Sequence, residues 1–326
     1  MKKITINFPD STQIESQDEI CSLNFLNHFP TGNGGIVAVK VNNEICALDC
    51  SINVSASLEP VYLNTKEGSA IYRRSLCFVL AAATHKIFPN ARLLVGHSLG
   101  YGYYYTLDTG KILSTEELIQ LKNEIRSIVD SDLKIETNTV SYKEACELFE
   151  KLNLVETRKQ LNYRSPSRIL VNTLGDFSDL YFGPLVSSTA ILSTFDIIPF
   201  HEGFLLRFPA HSDHTVLPQF EDQPKLFEIY KKYKDWGKRL NVTSAASLNQ
   251  LIHDRTVNEF IDITETLQLK CIADIADQIH SRSQVRVVLI AGPSSSGKTT
   301  TSKKLALQLH ALGYKPRVIS LDCYYV

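Results

Sequence analysis

The feature that most constrains the fold of this 326-residue chain is the stretch GPSSSGKT at Gly292–Thr299. It fits the phosphate-loop motif G-x-x-x-x-G-K-[ST] at every fixed position. The apolar stretch VRVVLIAG precedes it, and the helical pattern KTTTSKKLALQLHALGY follows it. This order predicts a strand, a loop and a helix, with RVISLD as a second strand. Such an arrangement begins a parallel α/β domain.

The predicted phosphate loop indicates nucleotide binding. Backbone N–H groups of a glycine-rich loop face a phosphate, and the N-terminus of the following helix adds a favourable dipole. We expect Lys298 to reach the β- and γ-phosphates of ATP and the Thr299 hydroxyl to bind Mg²⁺. The expected cofactor-binding residues are Gly292, Ser294, Ser295, Ser296, Gly297, Lys298, Thr299 and Thr300.

Asp322 is a candidate catalytic residue beside Lys298. It ends the second predicted strand, and ligands of open α/β sheets bind at that carboxyl edge. A carboxylate there could take the proton from an attacking hydroxyl. The alternative is an aspartate that caps a turn, and the spacing alone leaves both open.

Four segments with different patterns precede or contain the loop. Residues 1–66 alternate as strands do, and residues 67–215 mix helices with strands. Residues 216–281 are mostly helical, and residues 282–326 hold the phosphate loop. The sequence therefore predicts an α+β multidomain protein in which a helical linker joins two folded regions.

Two helices of the second segment carry clear local signals. SAIYRRSLCFVLAAATHKIF has helical apolar spacing and stops before Pro89. Ser114 and Glu117 form a capping box ahead of the next helix. The residues predicted to face the core from the first helix are Leu76, Val79, Leu80 and Ala83.

Net charge, apolar runs and cysteine content indicate which kinds of partner and which compartment to expect. The formal net charge is −1, so no overall basic excess attracts nucleic acid or an anionic membrane, although a local basic patch stays open. No apolar run approaches the roughly 18 residues that span a bilayer, and the N-terminal MKKITINFPDSTQ lacks the apolar stretch expected of a signal peptide. Seven cysteines without a C-x-x-C pair favour reduced thiols and a cytoplasmic location.

The last 35 residues carry a resemblance to a family. The stretch from GPSSSGKTTTSKK to RVISLDCYYV resembles the opening of the uridine kinase and phosphoribulokinase group of P-loop kinases. That resemblance implies that Asp322 is the base on the substrate hydroxyl and that Tyr325 helps to hold the nucleoside. Cys323 departs from the pattern, because those kinases usually have serine or a second aspartate there.

The front of the chain resembles different proteins. VAVKVNNEICALDCSINVSASLEPVYLNTKEG resembles the TGS domain, a small β-grasp module of threonyl-tRNA synthetases, and the following segment resembles their editing domain. That domain holds metal through H-x-x-x-H and C-x-x-x-H. The matching positions here are Arg74 with Phe78, and Tyr181 with Leu185. Phenylalanine and leucine cannot ligate a metal, so we expect the scaffold without its hydrolytic chemistry.

The order of these parts resembles a bacterial uridine kinase-like nucleoside kinase with a synthetase-like front. The resemblance implies transfer of the γ-phosphoryl group of ATP to a nucleoside hydroxyl, with Mg²⁺ as cofactor and a uridine-like nucleoside as partner. We expect the chain to be the front part of a longer kinase, impaired in activity. The alternative is an RNA- or tRNA-binding or regulatory module with a nucleotide-binding phosphate loop. RNA is the less favoured partner: Arg164 and Arg168 could contact RNA phosphate, but the near-neutral net charge favours a solvated loop.

Two weaker signals lie elsewhere in the sequence. GHSLG around Ser98 matches a hydrolase nucleophile elbow, but a strand-like segment follows it instead of a helix, which favours a hairpin turn. The other signal is a group of three histidines, either a metal cluster or, as is commoner, polar loop residues: His201, His211 and His214.

Overall fold

The computed structural model describes residues 3–16, 19–30, 34–163 and 166–324. The chain divides into two compact units, residues 1–246 and residues 247–326. The structure contains many helices as well as several separate sheets, which confirms the predicted class of a mixed α+β multidomain protein. The predicted domain boundaries after residues 66, 215 and 281 remain predictions.

The first unit begins with a five-stranded sheet in the order β2-β1-β7-β4-β5, in which only β1 and β7 are parallel. One face of the sheet is apolar, because Ile4 and Ile6 alternate with more exposed residues along β1. Its core also includes Val39 and Leu58, both fully buried. The strands are β1 (Ile4–Asn7), β2 (Gln13–Ser16), β4 (Ile36–Val41), β5 (Glu44–Cys46) and β7 (Ala56–Tyr62), with β3 (Ile20–Cys21) pairing β6 (Ser51–Ile52) beside them.

Helix α1 (Lys66–Ile87) is the central helix of the first unit. The Thr65 side chain accepts a hydrogen bond from the backbone N–H of Gly68, which caps the helix. A Cβ on Gly68 would lie 2.1 Å from the carbonyl oxygen of Tyr62, so only glycine fits this close approach. The four residues predicted to face the core are confirmed, since each has 0% exposure: Leu76, Val79, Leu80 and Ala83.

Two antiparallel sheets complete the region around α1. A four-stranded sheet has the order β13-β14-β9-β8, and a three-stranded sheet has the order β10-β11-β12. The strands are β8 (Leu93–Ser98), β9 (Gly102–Leu107), β10 (Glu136–Val140), β11 (Ile169–Leu174), β12 (Phe177–Asp179), β13 (Asp196–Phe200) and β14 (Gly203–Arg207). The helices between them are α2 (Thr115–Asp130), α3 (Tyr142–Lys151) and α4 (Val155–Leu161).

Two local predictions in this region are confirmed. Ser114 and Glu117 form both hydrogen bonds of the capping box at the start of α2. The segment around Ser98 is a hairpin, because β8 ends there and β9 begins at Gly102. The intervening Gly100 has a φ of +57°, the left-handed conformation that suits a tight turn.

Helix α5 (Pro224–Arg239), predicted as part of a linker, packs onto the four-stranded sheet. Phe227 is buried against Tyr104 and Leu205. Tyr104 and its neighbour Tyr105 lie on opposite faces of β9, since Tyr105 joins the core around α1. The sheet therefore separates α1 from α5.

The second unit is built on α7 (Val257–His280) and α8 (Lys298–Ala311), which follow α6 (Ala245–His253) in the chain. Ile272 and Ala276 of α7 pack against Leu305 and Leu309 of α8. The helical prediction for this stretch is confirmed.

The two strands predicted around the phosphate loop are wrong. Neither VRVVLIAG nor RVISLD contains a strand, and neither pairs with any other segment that the structure describes. Their apolar side chains are exposed, including Leu289 at 88% and Ile319 at 67%. A strand is stabilised by a hydrogen-bonded neighbour, and these segments have none. The start of a P-loop kinase sheet is therefore not formed.

Two further features concern membrane-spanning helices and cysteines. No helix in the described part of the chain is long and apolar enough to cross a membrane. The six cysteines described are all free thiols, and Cys46 and Cys50 are half-buried.

Candidate functional site

The four positions matched to the synthetase metal motifs converge on one place in the first unit. Arg74 and Phe78 lie one turn apart on α1, and Tyr181 and Leu185 lie in the segment after β12. The ring centroids of Phe78 and Tyr181 are 5.2 Å apart in an edge-to-face arrangement. Phe78 and Leu185 are buried. Apolar packing thus occupies this part of the molecule.

Arg74 ties the two segments together. Its Nη1 donates a hydrogen bond of 2.8 Å to the carbonyl oxygen of Pro184. Gly183 has a φ of +103°, and a Cβ there would lie 2.9 Å from Arg74 Nη1. The backbone conformation therefore favours glycine, and a Cβ would also displace the Arg74 guanidinium. Burial lowers the pKa of the Arg74 guanidinium, which nevertheless stays protonated at neutral pH.

The polar groups beside this cluster are held in their neutral forms. The Tyr105 hydroxyl donates to the Cys77 Sγ at 3.0 Å. Burial raises the pKa of the Cys77 thiol to about 11, so it is protonated at neutral pH and a poor nucleophile. Burial also raises the pKa values of Tyr105 and Tyr181 well above their usual range. The cluster suits packing and binding better than covalent catalysis.

Asp179 is a half-buried carboxyl group at the end of β12, two residues before Tyr181. One of its oxygens, Oδ1, accepts hydrogen bonds from Thr157 Oγ1 at 3.0 Å and from the Leu180 backbone N–H at 2.8 Å. Burial nevertheless raises its pKa to about 6. Asp179 is therefore ionised at neutral pH at a cost to the folded state.

A small basic cavity of about 190 Å³ opens near the start of α1. Lys66, Ser69 and Arg73 line it from one side of the helix, because their spacing of three and four residues keeps them on one face. The loop residues Tyr101 and His211 line the other side, and none of the lining residues is acidic. We call this the α1 cavity.

The cations of the α1 cavity are available to an anion. Within the described ranges, neither Lys66 nor Arg73 forms a salt bridge. The Arg73 guanidinium lies 5.4 Å from the Phe208 ring centroid, and its Nε is buried without a hydrogen-bond partner. An unpartnered guanidinium N–H next to a lysine favours a phosphate or carboxylate ligand. Sequence reasoning missed this site, although the helical spacing of Lys66 and Arg73 was a usable signal.

The phosphate loop in the second unit has a closed local geometry. Gly297 has a φ of +82°, and α8 begins at the next residue. Lys298 Nζ turns back over the loop and donates to the carbonyl oxygen of Pro293 at 2.7 Å. A Cβ on Gly292 would lie 2.7 Å from Ser296 Oγ, so the serine side chain would have to move to admit one. These residues fit a bound phosphate, since the lysine and the first N–H groups of α8 converge on one loop.

The remaining predicted residues are not brought together. Asp322 is exposed in a 3₁₀ turn, Leu321–Tyr324, and no hydrogen bond or ion pair between Asp322 and Lys298 is present in the described ranges. Arg168 is exposed, whereas Tyr325 and Arg164 lie outside the described residues. No group of three or more potential metal ligands occurs in the part of the chain that is described, His201, His211 and His214 included.

Comparison with known proteins points to one class of relative. No family model matches the chain. A threonine–tRNA ligase of Desulforamulus reducens is 32% identical over 164 residues, which are 50% of this chain and 26% of the ligase. The ligase of Clostridioides difficile is 32% identical over 156 residues, 47% of this chain and 24% of the ligase. The ligase of Listeria monocytogenes serotype 4a is 27% identical over 200 residues, which are 59% of this chain and 30% of the ligase.

The chain therefore spans about a quarter of the length of the curated relatives it matches. About half of it resembles threonine–tRNA ligases, which confirms the synthetase-like part of the resemblance.

The same comparison corrects the predicted function. The relatives are tRNA ligases and not nucleoside kinases, so the prediction of phosphoryl transfer to a nucleoside was wrong. The prediction of a nucleoside as the favoured partner over RNA was wrong for the same reason. Asp322 was assigned as a base for that reaction, and the assignment is not carried further. A net charge near zero had argued against RNA, but it averages over local clusters such as Lys66 with Arg73.

Proposed function

We propose that this protein binds RNA of the tRNA class without hydrolysing an aminoacyl ester. The observation that carries the proposal is the similarity of half the chain to threonine–tRNA ligases, proteins named for a tRNA substrate. The absence of catalysis is inferred from the four converging positions. Arg74, Phe78, Tyr181 and Leu185 offer neither a metal site nor an ionised nucleophile.

The α1 cavity is the proposed contact with the RNA backbone. Within the described ranges Lys66 and Arg73 form no salt bridge, so a phosphate would gain charge–charge attraction from both. The exposed ring of Tyr101 at the same opening gives a base a surface to stack on. The proposal includes two domain assignments. Residues 1–66 are a TGS-like β-grasp module, and residues 67–215 are a synthetase editing-like domain.

The phosphate loop is proposed as a nucleotide-binding element of the same protein. Gly292, Ser294–Gly297 and the first residues of α8, Lys298 to Thr300, would hold the phosphates of ATP, and the Thr299 hydroxyl would bind Mg²⁺. Lys298 would exchange its bond to the Pro293 carbonyl for a phosphate oxygen. This element is regulatory in the proposal, and no chemical step is assigned to it.

The proposal is tested by binding of a fluorescently labelled tRNA transcript to the full chain. Lys66→Ala combined with Arg73→Ala should weaken binding about tenfold or more, because each cation contributes a charge-assisted contact. Lys86→Ala is the matched control, since Lys86 is on the same helix but exposed and paired with Glu124. Equal affinity of the double variant and the wild type would contradict the assignment of the α1 cavity.

A further inference from the structure

A second cavity, of about 280 Å³, lies between β9 and α5. It is lined from the sheet by Tyr104 and Thr106 and from the helix by Tyr230 and Lys234. Tyr104 faces away from the core around α1, so this α5 cavity is on the other face of the sheet from Arg74 and Phe78. Neither the sequence motifs nor the function proposed above assigns it a ligand.

Aromatic rings form the apolar wall of the α5 cavity. Tyr104 meets Phe227 edge-to-face with ring centroids 5.0 Å apart, and it meets Tyr230 in the same way at 5.9 Å. Tyr230 is half-buried, so part of its ring faces the opening. Rings held in this way give a flat ligand a preorganised surface at little entropic cost.

Four lysines surround the opening, and three of them are already paired. Lys231 is paired with Glu202 and Lys111 with Glu117, while Lys238 lies 3.8 Å from Asp235. The fourth, Lys234, forms no salt bridge to any residue of the described ranges. Its Nζ donates to Thr106 Oγ1 at 3.2 Å and lies 5.6 Å from the Tyr230 ring centroid.

Lys234 is the group that an anionic ligand would satisfy. It is half-buried, and burial lowers its pKa, with the charge of Lys238 acting in the same direction and that of Asp235, which also lines the cavity, opposing it. A single neutral hydroxyl is a weak replacement for the water that the ammonium has lost. A phosphate in the cavity would restore favourable charge–charge energy and could also reach Lys238.

We propose that the α5 cavity binds one unstacked nucleotide, with its base against the half-buried Tyr230 ring, which packs on the buried Tyr104, and its phosphate on Lys234. A cavity of this size is close to the lower end of the range for small-ligand sites, which suits one nucleotide. Two sources share this chemistry, a free mononucleotide and an unpaired nucleotide of a bound RNA. The second source rests on the proposed function, whereas the first does not.

The experiment uses the full chain carrying Lys298→Ala, so that nucleotide binding at the phosphate loop does not contribute. Uridine and adenosine monophosphates, and the matching nucleosides, are titrated by calorimetry. Single-stranded RNA and a tRNA transcript are titrated by fluorescence anisotropy. Each is repeated with Lys234→Ala and Lys234→Gln. Lys232→Ala is the matched control, because Lys232 makes the same charge change on α5 but is exposed outside the cavity.

We expect a monophosphate to bind more tightly than its nucleoside. Both Lys234 variants should lower the affinity for the monophosphate about tenfold or more. Lys232→Ala should lower it by less than about twofold. Equal losses in the Lys232 and Lys234 variants would overturn the proposal, because a general basic face would explain them. Unchanged affinity for every probe in both Lys234 variants would also overturn the proposal, provided that circular dichroism shows the variants to be folded.

The RNA arms separate this inference from the proposed function. If tRNA binds, only the Lys66 and Arg73 variants weaken it, and no monophosphate or RNA probe depends on Lys234, the proposed function stands and the α5 cavity proposal fails. If a monophosphate binds through Lys234 while no tRNA binds, the cavity proposal stands and the proposed function fails. Weaker binding of single-stranded RNA in the Lys234 variants alone would support RNA as the source of the nucleotide.

Discussion

Replacement of Asp179 by asparagine should stabilise the first unit at neutral pH. Burial raises the pKa of this carboxyl group from 3.8 to about 6. A difference of roughly 2 pKa units corresponds to about 3 kcal/mol between the two protonation states. Asparagine keeps Oδ1 as the acceptor for Thr157 and Leu180 and carries no charge. The expected gain at neutral pH is therefore up to about 3 kcal/mol, less what the new amide N–H groups lose by burial.

The sign of the pH dependence follows from the direction of the shift. The folded state binds the Asp179 proton more tightly than the unfolded state, so the contribution of this group is most favourable below about pH 4. It falls as the pH rises to about 6 and is constant above that. The advantage of Asp179→Asn over wild type should thus be large at about pH 7 and small at about pH 4.

The assay is urea unfolding of both proteins at a series of pH values, followed by tryptophan fluorescence. Trp236 is the single tryptophan of the chain and lies on α5 in the first unit. Asp176→Asn is the matched control, because Asp176 is exposed in the turn before β12. A variant less stable than wild type at every pH would refute the reasoning, since Asp179 would then be stabilising as the carboxylate.

Two further predictions concern single residues. Gly183→Ala should cost about 1–3 kcal/mol in thermal unfolding because of its φ of +103° and the nearby Arg74 guanidinium. Gly175→Ala, with a φ of +57° and open space around it, should cost less, and equal costs would count against the close contact with Arg74. Lys298→Ala should weaken Mg·ATP binding about tenfold or more by calorimetry, since it removes the cation over the loop. Lys303→Ala, exposed on the same helix, should leave that affinity unchanged, and a similar loss in both variants would contradict the assignment.

Local signals in the sequence predicted local structure well. The apolar spacing of α1 placed Leu76 and Val79 in the core, and the capping box placed the start of α2 at Ser114. Both depend on residues within one or two helical turns, so no long-range information was needed. The convergence of Arg74 with Tyr181 was found through the resemblance to synthetases, because their separation in sequence has no local signature.

Features that depend on distant contacts were missed. The docking of α5 on β9 joins Phe227 to Tyr104 across more than a hundred residues, and periodicity shows only that α5 is amphipathic. The two strands beside the phosphate loop were predicted from apolar runs, but a strand also depends on a partner that a run cannot reveal. The phosphate loop itself specifies phosphate binding and no particular reaction, which is why nucleoside kinase activity did not follow from it.

The most direct test of the account is the equilibrium affinity of the full chain for a tRNA transcript across a series of salt concentrations. The account predicts saturable binding tighter than that of duplex DNA of equal length. It also predicts a salt dependence that becomes less steep by about one to two counterions in the Lys66→Ala and Arg73→Ala double variant. Binding of tRNA no tighter than that of duplex DNA, with the same salt dependence in the wild type and the double variant, would contradict it.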